Sequence, residues 1–558
     1  MKRSYKNLAV AACVALGMSA CDSKLDVTNP NYFTDEDIQE NILKNGTEAQ
    51  KKMVLEGMVN TMQNQILLSD ASFAGGFSNE DMHEYTFERK RFLQSSDVVE
   101  GAEATRGSYW KYYTNDPSNP IWERSQVAPN YGYYLGPVKR ISNALHPLAY
   151  LSDDETVSAD PLLSGYRAQC MVIKALGYIQ LMERYTDLQD VTSDTKQGWP
   201  IYDTWGYNNP KEPLSVVATW DWIKTTLKGA VADFKRSSIG NNGYTVAAGA
   251  TDATVHDIDC AVAQFELARA GLDSKDWDVV IEACKDLLSH YPNFISPDNY
   301  GMKASLLPEL VKRNDNGWCG IDFNATENAF YNIDKNPEVI WGSTRGSASY
   351  FWGIFNALKQ TPSGFHQVDA NIYKKLSDND CRKACILAEK FDDYLYYTNQ
   401  GNDTTWYKYT MPAYTSLKWA ASSAIGYENH TNAKTTSDLI YLRSSAAWLM
   451  LAEAYAQSGQ EGKAKETLNK LLAARTITGA PAMTCDNTMQ GMTVMDMVKL
   501  QWRIEMWGEA DWAFFNMKRW NEVPARGENQ WSKNTVTIPH MTWEIPQPER
   551  QGNPYWRN

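Results

Sequence analysis

Two carboxylates four residues apart, Glu505 and Glu509, stand in the stretch WRIEMWGEADWAFFNMKRW at residues 502–520, with Arg503 beside them. On a helix that spacing brings both acids to one face. A pair of carboxylates held about 5 to 9.5 Å apart is what a glycoside hydrolase uses for acid, base or nucleophile. The stretch also has a structural reading. Met497, Leu500, Ile504 and Trp507 recur at helical spacing and would face a core, while Arg503, Glu505 and Glu509 pair with one another on the remaining face. No nucleophile elbow, HExxH pair or phosphate loop accompanies the acids.

A second kind of chemistry lies in segments rich in Gly, Asn and aromatic residues. RGSYWKYYTNDPSNPIW carries the rings of Trp110, Tyr112, Tyr113 and Trp122 with Asn115 and Asp116 as polar neighbours. Residues 314–352 supply Trp318, Tyr331, Arg345, Tyr350 and Trp352. Flat rings beside amides, carboxylates and a guanidinium are the groups that hold sugar faces and their hydroxyls. Asp81, Glu84 and Tyr85 in FSNEDMHEY could add to this surface, although a plain surface loop explains them equally. Cys381 and Cys385 have no second cysteine pair or histidine at ligand spacing, so no zinc site is expected. Asn314, Asp315 and Asn316 are oxygen donors of the kind a calcium ion takes, and also of the kind that ordinary turns use. No cofactor is implied.

Those groups have to be positioned by a chain of 558 residues with a net charge of −13, long enough for a sizeable core. A deficit of basic residues argues against nucleic acid as a ligand, since no cationic surplus exists to displace counterions from phosphates. The 20 Trp and 31 Tyr exceed what a core ordinarily needs. The first residues, MKRSYKNLAVAACVALGMSAC, have a basic start, an apolar run too short to span a bilayer, and small residues before a cysteine. They read as a lipoprotein signal over residues 1–20, with Cys21 lipidated and residues 21–45 a polar tether ending in a helix capped by Thr34. Seven cysteines then remain, and one disulfide is possible.

Helical periodicity covers residues 46–68, 131–149, 164–187 and 218–236, the last with Ile223, Leu227, Ala230, Val231 and Phe234 on one stripe. Residues 261–292 and 445–475 resemble each other: Leu267 matches Leu451, Ala270 Ala454, Val280 Ala464, Cys284 Leu468 and Leu288 Leu472. Each is a helix, a short polar turn and a helix, with small residues where the partner approaches, as in a tetratricopeptide hairpin. Such hairpins bury their apolar faces only by stacking, and 164–187 with 218–236 makes another pair split by an insertion. In NPEVIWGSTRG, Val339, Ile340 and Trp341 predict a strand. The expected fold is mostly α: a tetratricopeptide-like helical hairpin array with long loop-rich insertions. The array is placed at about 131–300 and 438–520, with insertions at about 70–130 and 300–437, all in one domain over 46–558.

Several of these segments, taken in order, resemble the SusD/RagB family of nutrient-binding outer-membrane lipoproteins. They are Cys21-Asp22, YRAQCMVIKALGYIQLMERYTDLQDV, DNDCRKACIL with its Asp-x-Arg element, LIYLRSSAAWLMLAEAYAQSG, the stretch at 502–520, and EIPQPERQGNP at 544–554. Ala510, Asn516 and Thr186 depart from the family's usual Gly, Asp and Gly. The resemblance implies a SusD-like fold, no catalysis, and a scaffold role for 502–520. It also makes Trp122 a core residue. It implies capture of an oligosaccharide, or alternatively of peptide, on loops beside the array, and delivery to a SusC-like TonB-dependent porin. The implied location is the outer membrane, held by the lipid on Cys21 and facing the cell exterior. Candidate ligand-binding residues are Trp110, Tyr112, Tyr113, Asn115, Asp116, Trp318, Arg345, Tyr350 and Trp352.

Overall fold

The structure is a computed structural model. It describes residues 34–67, 97–100, 127–206, 209–245, 257–313, 319–321, 327–330, 332–343, 366–398, 404–420, 439–509, 512–530, 533, 535 and 541–557. The chain divides into two compact units, one ending at Gly57 and one running from Met58. In the first, helix α1 (Asp37–Lys44) starts where expected, with the Thr34 hydroxyl accepting from the Asp37 amide at 3.1 Å. The helix expected over 46–68 is α2, Glu48–Leu67.

The second unit is organised by helices that pack in chain order. α3 (Val127–Tyr150) lies against α4 (Pro161–Tyr185), α4 against α5 (Val216–Lys235), α5 against α6 (Cys260–Asp273), and α6 against α7 (Trp277–His290). Each start is written in the sequence. Asp160 accepts from the amides of Leu162 and Leu163 with Pro161 in the first turn, and Asp259 accepts from those of Ala261 and Val262. The array then resumes across the long insertion. α7 packs on α8 (Ser444–Gln457), which pairs with α9 (Glu461–Ala474) and with α10 (Val494–Glu505).

All ten residues matched between the two hairpin segments are buried, so the likeness in sequence is a likeness in packing. A buried leucine at such a position contributes about 1.5–3 kcal/mol. The two hairpins also turn in the same way, through a left-handed residue that is Lys275 (φ 59°) in the first and Gly459 (φ 76°) in the second. Glycine adopts that conformation freely and lysine does not. α4 and α5 form the third expected pair, with Ile223, Leu227, Ala230 and Phe234 fully buried and Val231 half-buried.

The insertions hold short two-stranded ladders. β1 (Val98–Glu100) pairs antiparallel with β5 (His366–Val368), and β2 (Val311–Arg313) with β3 (Cys319–Ile321). β4 (Val339–Ser343), the expected strand, pairs with β8 (Leu439–Arg443), and β6 (Phe391–Thr398) with β7 (Thr404–Met411). Among the described residues no helix is long and apolar enough to cross a membrane, and no group of side chains could hold a metal ion. Cys170, Cys260, Cys284, Cys381, Cys385 and Cys485 are free and buried.

Candidate functional site

Glu505 and Glu509 do not share a helix face. α10 stops at Glu505, and the chain turns through Gly508, whose φ of 75° and close approach to the Trp419 indole leave no room for a side chain. The turn swings Glu509 back so that both carboxylates converge on one guanidinium. Arg443 Nη1 donates to Glu505 Oε1 at 2.7 Å, while its Nε and Nη2 donate to the two oxygens of Glu509 at 2.6 Å each. Arg443 is placed there by the β4–β8 ladder, of which it is the last residue.

Two more arginines close on Glu505. Arg475, at the end of α9, donates from Nε to Oε2 at 3.0 Å and from Nη2 to Oε1 at 2.8 Å. Arg382, from the Asp-x-Arg element, reaches Oε2 at 3.0 Å and pairs with Asp380 at 2.7 Å. Glu338 binds Arg443 and Arg475 at 2.7 and 2.6 Å, and Lys418 joins Glu509 while donating to the carbonyls of Glu505 and Trp507. Four acids thus face four bases, all of them buried, with Glu505 at 0 % exposure. Burial alone would raise the Glu505 pKa, but the charges of Arg475 and Arg443 overcome it and hold this carboxylate well below its usual range. A general acid needs the opposite shift and access to substrate. Glu505 has neither, and the work of the pair is to lock α8, α9, α10 and the insertion into one charge-neutral junction.

Among the described residues the remaining charges of the stretch, Arg503, Lys518 and Arg519, are buried as well. Arg503 does not pair with Glu505 or Glu509 as its position in the sequence suggests, because the convergence of three arginines already saturates those acids. It turns to Asp97 instead, Nε to Oδ1 at 2.6 Å. α11 (Trp512–Trp520) sends Arg519 to Glu453 and Asn516, the Trp520 indole to Glu453 at 2.8 Å, and Lys518 Nζ to the Glu183 carbonyl at 2.6 Å. Burial pushes Lys518 down to about 7, against the nearby charges of Asp187, Glu183 and Asp273. Between about pH 7 and the ordinary lysine value of 10.5 the unfolded chain therefore holds a proton that folded Lys518 does not. Stability rises with pH over that window. The thermal midpoint is expected to be higher at about pH 9 than at about pH 7, and Lys518→Met should remove part of the difference, the rest coming from Lys174 and Lys418, which burial pushes down to about 8. A flat profile in the parent chain would contradict this.

The ring-bearing candidates Trp110, Tyr112, Tyr113, Asn115, Asp116, Trp318, Arg345, Tyr350 and Trp352 lie outside the described residues, as do Cys21, Trp122, Tyr331 and the oxygen cluster at 314–316. What the structure places is the framework from which their segments depart. Glu100, immediately before residues 101–126, stands opposite His366, immediately after residues 344–365, in the β1–β5 ladder. Ser343, at the other end of that second segment, stands opposite Leu439 in β4–β8, and Arg313 opposite Cys319 brackets residues 314–318.

The β1–β5 ladder is anchored by residues that carry no signal in the sequence. The Asp97 carbonyl accepts from the Trp507 indole and the Asp369 amide, both at 3.1 Å. Burial, opposed by Arg503, raises the Asp97 carboxyl to about 6. Fully buried Asp369 accepts from the Asn371 amide at 2.8 Å, the Gly527 amide at 2.7 Å and Gln530 Nε2 at 2.5 Å. Asn529 adds a bond from Nδ2 to the Val368 carbonyl at 2.9 Å and takes one from the Ala370 amide. Glu338, Lys418 and Arg475 were equally silent, although a lone acid or base at the edge of an apolar run is a signal that a buried partner exists.

No curated protein matches the chain by sequence. The fold, however, is similar to that of a SusD-like carbohydrate binding protein from Bacteroides vulgatus ATCC 8482, with a TM-score of 0.60 at 18% identity over 90% of this chain and 96% of that one. It is similar also to surface glycan-binding protein A from Bacteroides fluxus (TM-score 0.55, 15% identity, 91% and 97% covered). The protein of that name from Bacteroides thetaiotaomicron, in complex with laminarihexaose, gives a TM-score of 0.54 at 14% identity with 89% and 97% covered. The SusD family profile matches residues 298–549, the part that holds Glu338, Arg382, Arg443, Arg475, Glu505 and Glu509. The chain thus carries the SusD family signature over residues 298–549, on a fold similar to that of SusD-like proteins.

Proposed function

We propose that the protein is a non-enzymatic glycan-binding lipoprotein that captures oligosaccharide on the segments 101–126 and 314–365 and passes it to a SusC-like TonB-dependent transporter. The observation that carries the reading is the β1–β5 ladder, which brings the start of one ring-bearing segment opposite the end of the other. Rings from both can then contribute to one surface, as stacking along an oligosaccharide requires. Two proteins of similar fold are surface glycan-binding proteins, one solved with laminarihexaose, which supports the same class of ligand. The lipid on Cys21 would hold the body at the outer membrane, facing the cell exterior. The buried state of Glu505 and Glu509 supports a scaffold role for that pair, and with it binding over the alternative of a surface-tethered glycoside hydrolase.

The test is calorimetric titration of the chain lacking residues 1–21 with a panel of plant, host and microbial oligosaccharides, laminarihexaose among them, and with a peptide digest. Heat with one glycan class is expected, and Trp110→Ala or Trp352→Ala should weaken that binding about tenfold, or about 1.4 kcal/mol. Heat from peptides alone would replace glycan by peptide as the ligand.

A further inference from the structure

Lys174, in the middle of α4, is a cation the fold does not use. It is 7% exposed, and among the described residues its ammonium has neither a hydrogen-bond acceptor nor an ion-pair partner. Its one described contact is the face of Trp222 in α5, 5.0 Å from Nζ to the ring centroid. Burial of its side chain pushes Lys174 down to about 8, with Asp203 and Lys211 as its charged neighbours.

The surroundings have the composition of a sugar platform. Trp222 is braced edge-on by Tyr178, with ring centroids 5.0 Å apart, and the Tyr178 hydroxyl accepts from the Tyr202 amide at 2.9 Å, which ties the following loop to α4. In that loop the Asp203 carboxylate lies 3.6 Å from Lys211 Nζ and accepts from the Thr204 hydroxyl at 3.3 Å. Trp205 is 46% exposed, and one face of its indole is stacked on His146 of α3 at 4.6 Å, so the ring is held in a fixed orientation. Two ammonium groups against one carboxylate leave this patch with a positive excess on a chain whose net charge is −13.

A protein-docking surface has a contiguous apolar centre poor in charge. Here single rings alternate with exposed charged groups, which suits a ligand that offers hydroxyls and ring faces in turn. A neutral sugar would leave the charge on Lys174 unanswered, whereas a carboxylate both accepts its hydrogen bonds and neutralises it. We propose that Lys174, Trp222, Asp203, Lys211 and Trp205 form a binding site for a uronic-acid residue of an acidic oligosaccharide, with its carboxylate on Lys174 and its ring against an indole. The site shares no residue with segments 101–126 and 314–365 and does not depend on their reading.

The experiment titrates the full chain, held in detergent micelles, with tetragalacturonate, a hyaluronan hexasaccharide, neutral laminarihexaose and acetate, following the Trp205 indole N–H resonance and the heat of binding. At least one acidic oligosaccharide should shift that resonance. Its affinity should fall about tenfold or more in Lys174→Met, persist in Lys174→Arg and weaken in Trp205→Ala. It should also fall as the pH passes about 8, where Lys174 gives up its proton while the uronate stays ionised. The proposal is overturned if neither acidic sugar binds, if acetate or laminarihexaose does as well, or if Trp352→Ala and not Lys174→Met removes the effect.

Discussion

Glu505→Gln is expected to give protein that is insoluble or melts far below the parent, a loss of roughly 3–5 kcal/mol. The substitution preserves shape and removes only charge, so the cost is electrostatic. Arg382, Arg443 and Arg475 all donate to this carboxylate, and in its absence the junction holds four bases against three acids with no water to dilute the excess. Domains are stable by only about 5–15 kcal/mol in total. A double variant, Glu505→Gln with Arg382→Gln, returns the junction to neutrality and should recover part of the loss. Soluble yield and the thermal midpoint by circular dichroism decide the matter, and a midpoint within about 2 °C of the parent would sink the account. Loss of any sugar-directed property in Glu505→Gln consequently reports on folding, not on chemistry.

Asp369→Ala should loosen the base of the ring-bearing segments while leaving the helices intact. Three donors, the amides of Asn371 and Gly527 and the Gln530 amide group, lose a charged acceptor worth about 1.5–3 kcal/mol for each bond. Segment 525–530 is then free to leave the β1–β5 ladder. Hydrogen exchange at Asn371 and Gly527 should accelerate by two orders of magnitude or more, with helical circular dichroism unchanged. On the proposed function, glycan affinity should fall at least about tenfold, and Asp369→Asn should restore part of it. Unchanged exchange at both amides would show that other contacts hold the ladder.

The helical array was legible because its signals are local. Leu267 and Leu451, or Ala270 and Ala454, report the same packing from within one hairpin, and the Asp and Thr caps sit next to the turns they start. Gly508 equally announces that the helix ends before Glu509, which undoes the one-face reading of the acid pair. Illegible were the partners chosen at long range. Arg503 finds Asp97 across 406 positions and Arg475 finds Glu338 across 137, and no periodicity records such a choice. Ring-bearing segments offer the opposite difficulty, since Trp110 and Trp352 announce their chemistry by type but sit in sequence without a repeat to orient them. Their common origin at one ladder becomes visible only when β1 and β5 are seen paired.

The junction around Glu505 also imposes an order in time. Arg382, Arg443 and Arg475 precede Glu505 in the chain by 123, 62 and 30 residues, so during synthesis the three bases always emerge ahead of their shared acid. Hairpins such as α6–α7 can close as soon as they appear, because their contacts are local. The charged junction that ties the insertion to the second half of the array cannot close until residues 505–509 arrive. A chain cut short before that point would keep its first helices and leave a cluster of arginines seeking acids elsewhere, which makes incomplete molecules conspicuous to proteases.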